Sequence, residues 1–146
     1  MRYWDASALI PLLVREPATA EARSLVKADE IVYVWWGTPV ECASGLARRL
    51  REGDLDAGGH EEALKTLAAA IPGWKPILPS DGLRTDAMRF ARVHALRAGD
   101  ALQLAAALSW AQRAPDGLEV VCLDRKLRDA ARMEGFTVLP AWRVPA

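Results

Sequence analysis

The chain has 146 residues, half of them hydrophobic, which is enough for one compact domain with a buried core. Its 19 basic and 19 acidic residues cancel to a formal charge of zero, which excludes nucleic-acid binding by bulk charge and leaves only a local basic patch for such a partner. Two cysteines, Cys42 and Cys122, stand in unrelated contexts; they form neither a disulfide framework nor a CxxC metal knuckle, which suits a reducing, cytoplasmic setting.

The first segment, "MRYWDASALIPLLVREP", is broken early by Asp5, and its apolar run is too short for a signal peptide or a membrane span. "RYW" predicts a short strand and "ASALIPLLVRE" a helix that Pro11 bends or restricts. "TAEARSLVKA" predicts a second, mostly polar helix, and "IVYVWW" a buried strand of β-branched and aromatic residues. "GTPVECASGLARRLREG" carries helix-start signals: Thr38 as cap, Pro39 in the first turn and Glu41 to complete a capping box, with Gly53 as the stop. A further helix, "DAGGHEEALKTLAAAI", runs into a Pro72-Gly73 turn, and "WKPIL" predicts a strand whose proline suits a sheet edge.

"SDGLRTDAMRFARVHALR" predicts a long amphipathic helix capped by Ser80 or Asp81, and the helix headed by Asp100, "GDALQLAAAL", follows almost at once. After the turn "APDG" come a buried strand "LEVVCL", the helix "DRKLRDAARMEG" with Gly135 beyond its end, and a last strand "FTVLP". Strands alternating with helices predict an α/β fold: a parallel sheet of about four to five strands flanked by helices. Without repeats or linkers, the expected organisation is a single domain over residues 1–146.

Four acids raise the question of function. Asp5 and Asp124 each follow a strand and open a helix, and Glu41 lies in the first turn of the helix after the second strand. In a parallel sheet the carboxyl ends of the strands share one edge, where ligands bind, so topology brings these three together. Asp100 follows a helix instead, and the pattern alone does not place it. Each acid taken singly reads as a helix cap or a first-turn acid. Together they read differently, because carboxylates about 5 Å apart repel by roughly 3 kcal/mol per pair at an effective dielectric of 20. Such a group persists when a cation neutralises it or protons are shared. Oxygen donors without a Cys/His cluster favour a hard ion, Mg²⁺ or Mn²⁺, over zinc.

Four segments, "DASALIPLL", "VECASGLARRL", "GDALQLAAAL" and "CLDRKLRDAA", resemble in this order the acidic motifs of the PIN-domain family, and their sizes are most similar to the VapC-type toxins of toxin–antitoxin pairs. The resemblance spans residues 2 to 140 and implies a PIN-like domain with metal-dependent endoribonuclease activity. Its acidic positions fall on Asp5, Glu41, Asp100 and Asp124, so it implies that Asp100 joins the same pocket, as both helix cap and metal ligand. Cys122 departs from the family, which often has Ser or Thr there; Ser7 matches the small hydroxyl residue two places after the first acid. The implied partners are an RNA substrate, with tRNA the family-level expectation, a cognate antitoxin that blocks the acidic pocket, and a second copy forming a homodimer.

The expected chemistry is hydrolysis of RNA phosphodiester bonds with Mg²⁺ or Mn²⁺ held mainly by Asp5 and Asp100, while Glu41 and Asp124 complete the cluster or orient the nucleophile. Arg48, Arg49 and Arg51 on one helix, and Arg125, Lys126, Arg128 and Arg132 on another, are either phosphate contacts or solvated helix faces. Trp35 and Trp36 read as core or dimer packing rather than base stacking, Trp4 and Trp110 as core, and His60 and His94 as surface residues. Two other functions fit the pattern less well. An aspartyl-phosphate phosphatase calls for a second Asp where Ser7 stands, and a PIN-like module acting only by protein contact has no need of the intact acidic set.

Overall fold

The computed structural model describes residues 1–29 and 31–141; Glu30 and residues 142–146, the end of the domain expected over 1–146, lie outside the described residues. Its strands are β1 (Arg2–Trp4), β2 (Val32–Trp35), β3 (Lys75–Ile77), β4 (Glu119–Val121) and β5 (Thr137–Leu139). All neighbours pair in parallel, in the order β3-β2-β1-β4-β5. The helices are α1 (Ala6–Leu13), α2 (Thr19–Lys27), α3 (Thr38–Arg51), α4 (Ala57–Ala70), α5 (Asp81–Val93), α6 (Ala98–Trp110) and α7 (Arg125–Met133). The expected α/β class with a parallel sheet is what forms, and Pro76 sits in β3 at the sheet edge, where its missing N–H disturbs no inner ladder.

Alternation along the short strands divides the core into two layers. Tyr3 and Val120 face one side and pack with Leu83, Phe90, Leu104 and Leu127 of α5, α6 and α7. Trp4, Val34 and Val121 face the other and pack with Leu9, Cys42, Leu46 and Leu67 of α1, α3 and α4. The inner strands β1, β2 and β4, three or four residues long and largely buried, are held by these helices rather than by sheet length. The chain runs outward from β1 through β2 to β3 and then returns to β4 on the other side of β1. The order in which strands are added therefore reverses between β1 and β4, a switch point that leaves a crevice at their carboxyl ends.

Helix α3 lies close against α1 because residue 45 is glycine: a Cβ there would stand 2.6 Å from Ile10 Cδ1. Helix α1 runs through Pro11 to Leu13, and the Pro11 carbonyl accepts from the Thr19 hydroxyl at 2.7 Å. Among the described residues no helix is long and apolar enough to cross a membrane.

Several local expectations are corrected. The Thr38–Glu41 capping box does not form; Gly37 is the cap of α3 without a side-chain bond, and Thr38 Oγ1 and Glu41 Oε1 both accept from Gln103. A donor 62 to 65 residues away outcompetes the local pairing. Helix α5 stops at Val93 rather than Arg97, and the His94 ring is buried, not on the surface, bonding Glu134 at 2.7 Å beyond the end of α7. Trp4 is fully buried and Trp110 half-buried against Tyr3 and Tyr33, whereas Trp35 is in the core and Trp36 is 58 % exposed.

Candidate active site

The crevice at the switch point is an open cavity of about 330 Å³ whose walls include Asp5, Glu41, Asp100 and Asp124. All four acids singled out in the sequence thus border one space. They surround it rather than touch: among the described residues, no three His, Cys, Asp or Glu side chains stand close enough to hold an ion as placed.

Asp5 lies at the floor, 3 % exposed, at the end of the central strand. It caps α1 by accepting from the Ser7 amide at 3.0 Å, and its Oδ2 also accepts from the Ser7 hydroxyl at 2.5 Å. Ser7 Oγ in turn accepts from the amides of Leu123 and Asp124 at 2.9 and 3.3 Å. The serine identified at the helix start is therefore a clamp between the ends of β1 and β4. Cys122 Sγ lies 3.7 Å from both Asp5 Oδ2 and Ser7 Oγ, filling the space beneath them, and burial pushes its thiol well above the ordinary range. Cys42 is also fully buried, with its thiol pushed up to about 12, first by burial and then by Asp5 and Glu41.

Asp124 caps α7, accepting from the Leu127 amide at 3.0 Å. Asp100, expected to be a cap, is not one: Arg97 holds that position, and Asp100 sits two residues into the helix, in its first turn. There the partial positive charge of the helix N-terminus favours a carboxylate without consuming its oxygens. Glu41 lies one turn into α3, and its Oε1 accepts from Gln103 Nε2 at 3.1 Å.

The electrostatics are those of negative groups held together. Burial raises the Asp5 carboxyl above its ordinary range, with Asp124 adding to the rise and the Ser7 hydrogen bonds opposing it. Glu41 is raised to about 7 by burial first and then by Asp5 and Asp100, against the Gln103 bond. Asp100 is raised to about 6 by burial, Asp124 and Asp5, with Arg97 and Lys126 pulling the other way. Among the described residues, Asp5 Oδ1 is buried without a hydrogen-bond partner. An unpartnered carboxylate oxygen beside three more acids fits a hard cation in donor chemistry and in charge.

The basic residues differ in burial and in partner. Arg48 and Arg51 are exposed and border the acidic cavity. Arg49 is taken up by Glu16 and the Gly45 carbonyl. Arg128 is neither a phosphate contact nor part of a solvated face. It is fully buried and donates to the Cys122 and Pro140 carbonyls at 2.7 Å each, so it fastens α7 to the ends of β4 and β5. Arg125 and Lys126 are exposed at the start of α7, and Arg132 pairs with Asp129 on the same helix. Sequence reasoning missed Gln103; the signal was an amide inside an otherwise apolar helical run.

No family model matches the chain. Two ribonucleases of Mycobacterium tuberculosis do: Ribonuclease VapC45 of strain CDC 1551 / Oshkosh and Ribonuclease VapC49 of strain ATCC 25618 / H37Rv. Each is 31 % identical over 139 residues, covering 95 % of this chain and 94 % of the relative. The fold is similar to that in the crystal structure of PAE2754 from Pyrobaculum aerophilum, with a TM-score of 0.60 and 24 % identity over 95 % of this chain and 90 % of that one.

Proposed function

The chain belongs to the VapC ribonuclease family, and from that premise we propose that it is a metal-dependent endoribonuclease, the toxin of a toxin–antitoxin pair. The observation that carries the reading is the convergence of Asp5, Glu41, Asp100 and Asp124 on one cavity at the sheet's switch point. Asp5 and Asp100 would hold a divalent cation, Mg²⁺ or Mn²⁺. When bound, the cation supplies Lewis-acid polarisation of the scissile phosphate and lowers the pKa of water in the site.

The protein's own groups do the rest. Ser7 holds Asp5 against the segment that carries Asp124, so the two strand ends present their acids as a unit. Gln103 engages Glu41 Oε1, and Oε2 is the atom that takes the proton from the attacking water. Asp124 accepts from the Leu127 amide through Oδ1 and helps orient that water. Arg48 and Arg51 on α3 draw the phosphate chain across the cavity mouth, giving a neutral protein the local basic surface that RNA requires.

The substrate is RNA, with tRNA the class expected, and the inhibitory partner is a cognate antitoxin that covers the acidic cavity. A homodimer and a cytoplasmic location complete the proposal; exposed Trp36, Val40 and Leu78 supply apolar surface for protein contacts. The test of the acidic cavity as the active site is Asp5→Asn, which should abolish RNA cleavage and leave the circular dichroism spectrum unchanged. Cleavage at the wild-type rate would overturn it.

A further inference from the structure

Gln103 lies midway along α6, 1 % exposed, between Leu102 and Leu104 and followed by three alanines. An amide in such surroundings is costly unless its polar groups are bonded. Here the oxygen and both amide hydrogens are used. Gln103 Oε1 accepts from the Tyr3 hydroxyl at 2.5 Å, while Nε2 donates to Thr38 Oγ1 at 2.9 Å and to Glu41 Oε1 at 3.1 Å. One side chain therefore joins β1, α3 and α6, the elements that carry or precede Asp5, Glu41 and Asp100. Its orientation is fixed by chemistry as well as packing. In the ionised form from which it takes a proton, the Glu41 carboxylate only accepts, so the amide nitrogen faces it, and a flipped amide would set oxygen against oxygen.

We propose that Gln103 is a positioning residue of the acidic site: its amide, locked by Tyr3 and Thr38, holds the Glu41 carboxylate in the orientation from which it acts on water. The inference rests on the nuclease reading for its consequence, but not for its geometry. Partners that orient the acting groups of metal sites affect activity by about 10- to 100-fold when removed. Thr38 is spent on this network rather than on capping α3, which is why the local capping box is absent.

The test uses Gln103→Met, which keeps an unbranched side chain of similar reach and removes the amide. The kcat for RNA cleavage should fall about 10- to 100-fold, while KM and Mn²⁺ affinity measured by calorimetry each stay within about threefold. Tyr3→Phe, which leaves the amide in place but frees its oxygen, should lower kcat in the same direction by a smaller factor. Leu67→Ala, which loosens the core at α4, should keep its kcat per folded molecule. An unchanged kcat in Gln103→Met, a fall no larger than that of Leu67→Ala at matched stability, or a parallel loss of Mn²⁺ affinity would each overturn the proposal. Should the wild-type protein fail to cleave RNA, the nuclease reading falls and nuclear magnetic resonance decides the geometry. The Gln103 side-chain amide protons should resist solvent exchange and shift on Glu41→Gln; rapid exchange or unmoved resonances would remove the bond on which the proposal stands.

Discussion

Ser7 binds Asp5 to the chain segment that carries Asp124. Its hydroxyl donates to Asp5 Oδ2 and accepts from the amides of Leu123 and Asp124, so the ends of β1 and β4 are fastened at the floor of the acidic cavity. Ser7→Ala leaves two backbone donors without this partner and should destabilise the protein by about 1–3 kcal/mol. Urea denaturation checks the value, and cleavage should decline with it; an unchanged midpoint would show that the clamp contributes nothing.

Stability of the metal-free protein should depend on pH through the raised carboxyls. Glu41 is lifted from 4.5 to about 7 and Asp100 from 3.8 to about 6, both chiefly by burial. A group raised by folding contributes stability that is complete below its unfolded pKa and is lost as pH rises through the folded one. For Glu41 that window runs from 4.5 to about 7. In chelator, Glu41→Gln should therefore match the wild type near pH 4 and exceed its melting temperature near pH 8. A difference that stays flat across this range would contradict the electrostatic account of the site.

Two groups of arginines should respond in opposite ways. Arg48→Glu with Arg51→Glu, at the exposed cavity wall, should weaken RNA binding and reduce its dependence on salt while sparing stability. Arg128→Met removes the donor to the Cys122 and Pro140 carbonyls and should cost about 2–4 kcal/mol of stability. Fluorescence binding at two salt concentrations and urea denaturation separate these outcomes. An unaltered salt slope in the double variant would return Arg48 and Arg51 to the solvated surface.

The sequence made the strand-end acids legible because a parallel sheet places the carboxyl ends of its strands on one edge, which positions Asp5 and Asp124 by topology alone. Asp100 was not legible in that way. It follows a helix, and only the packing of α6 against the sheet brings it to the cavity, a placement that family resemblance supplied and local pattern did not. Thr38 was misread because its true partner, Gln103, is 65 residues away and invisible to a capping motif. Arg128 was misread although a signal was present, since it stands beside buried Leu127 and one turn from buried Ala131. The end of α5 was extended past His94, which hid the bond from that imidazole to Glu134.

The proposed nuclease requires these acids to share a divalent cation while RNA is cut. The most direct measurement incubates the purified protein with total RNA and Mg²⁺, in parallel with a chelator and with Asp100→Asn. Discrete cleavage by the wild type in Mg²⁺, absent in chelator and absent for the variant, is the predicted result. Undiminished cleavage in either of those two reactions would contradict it.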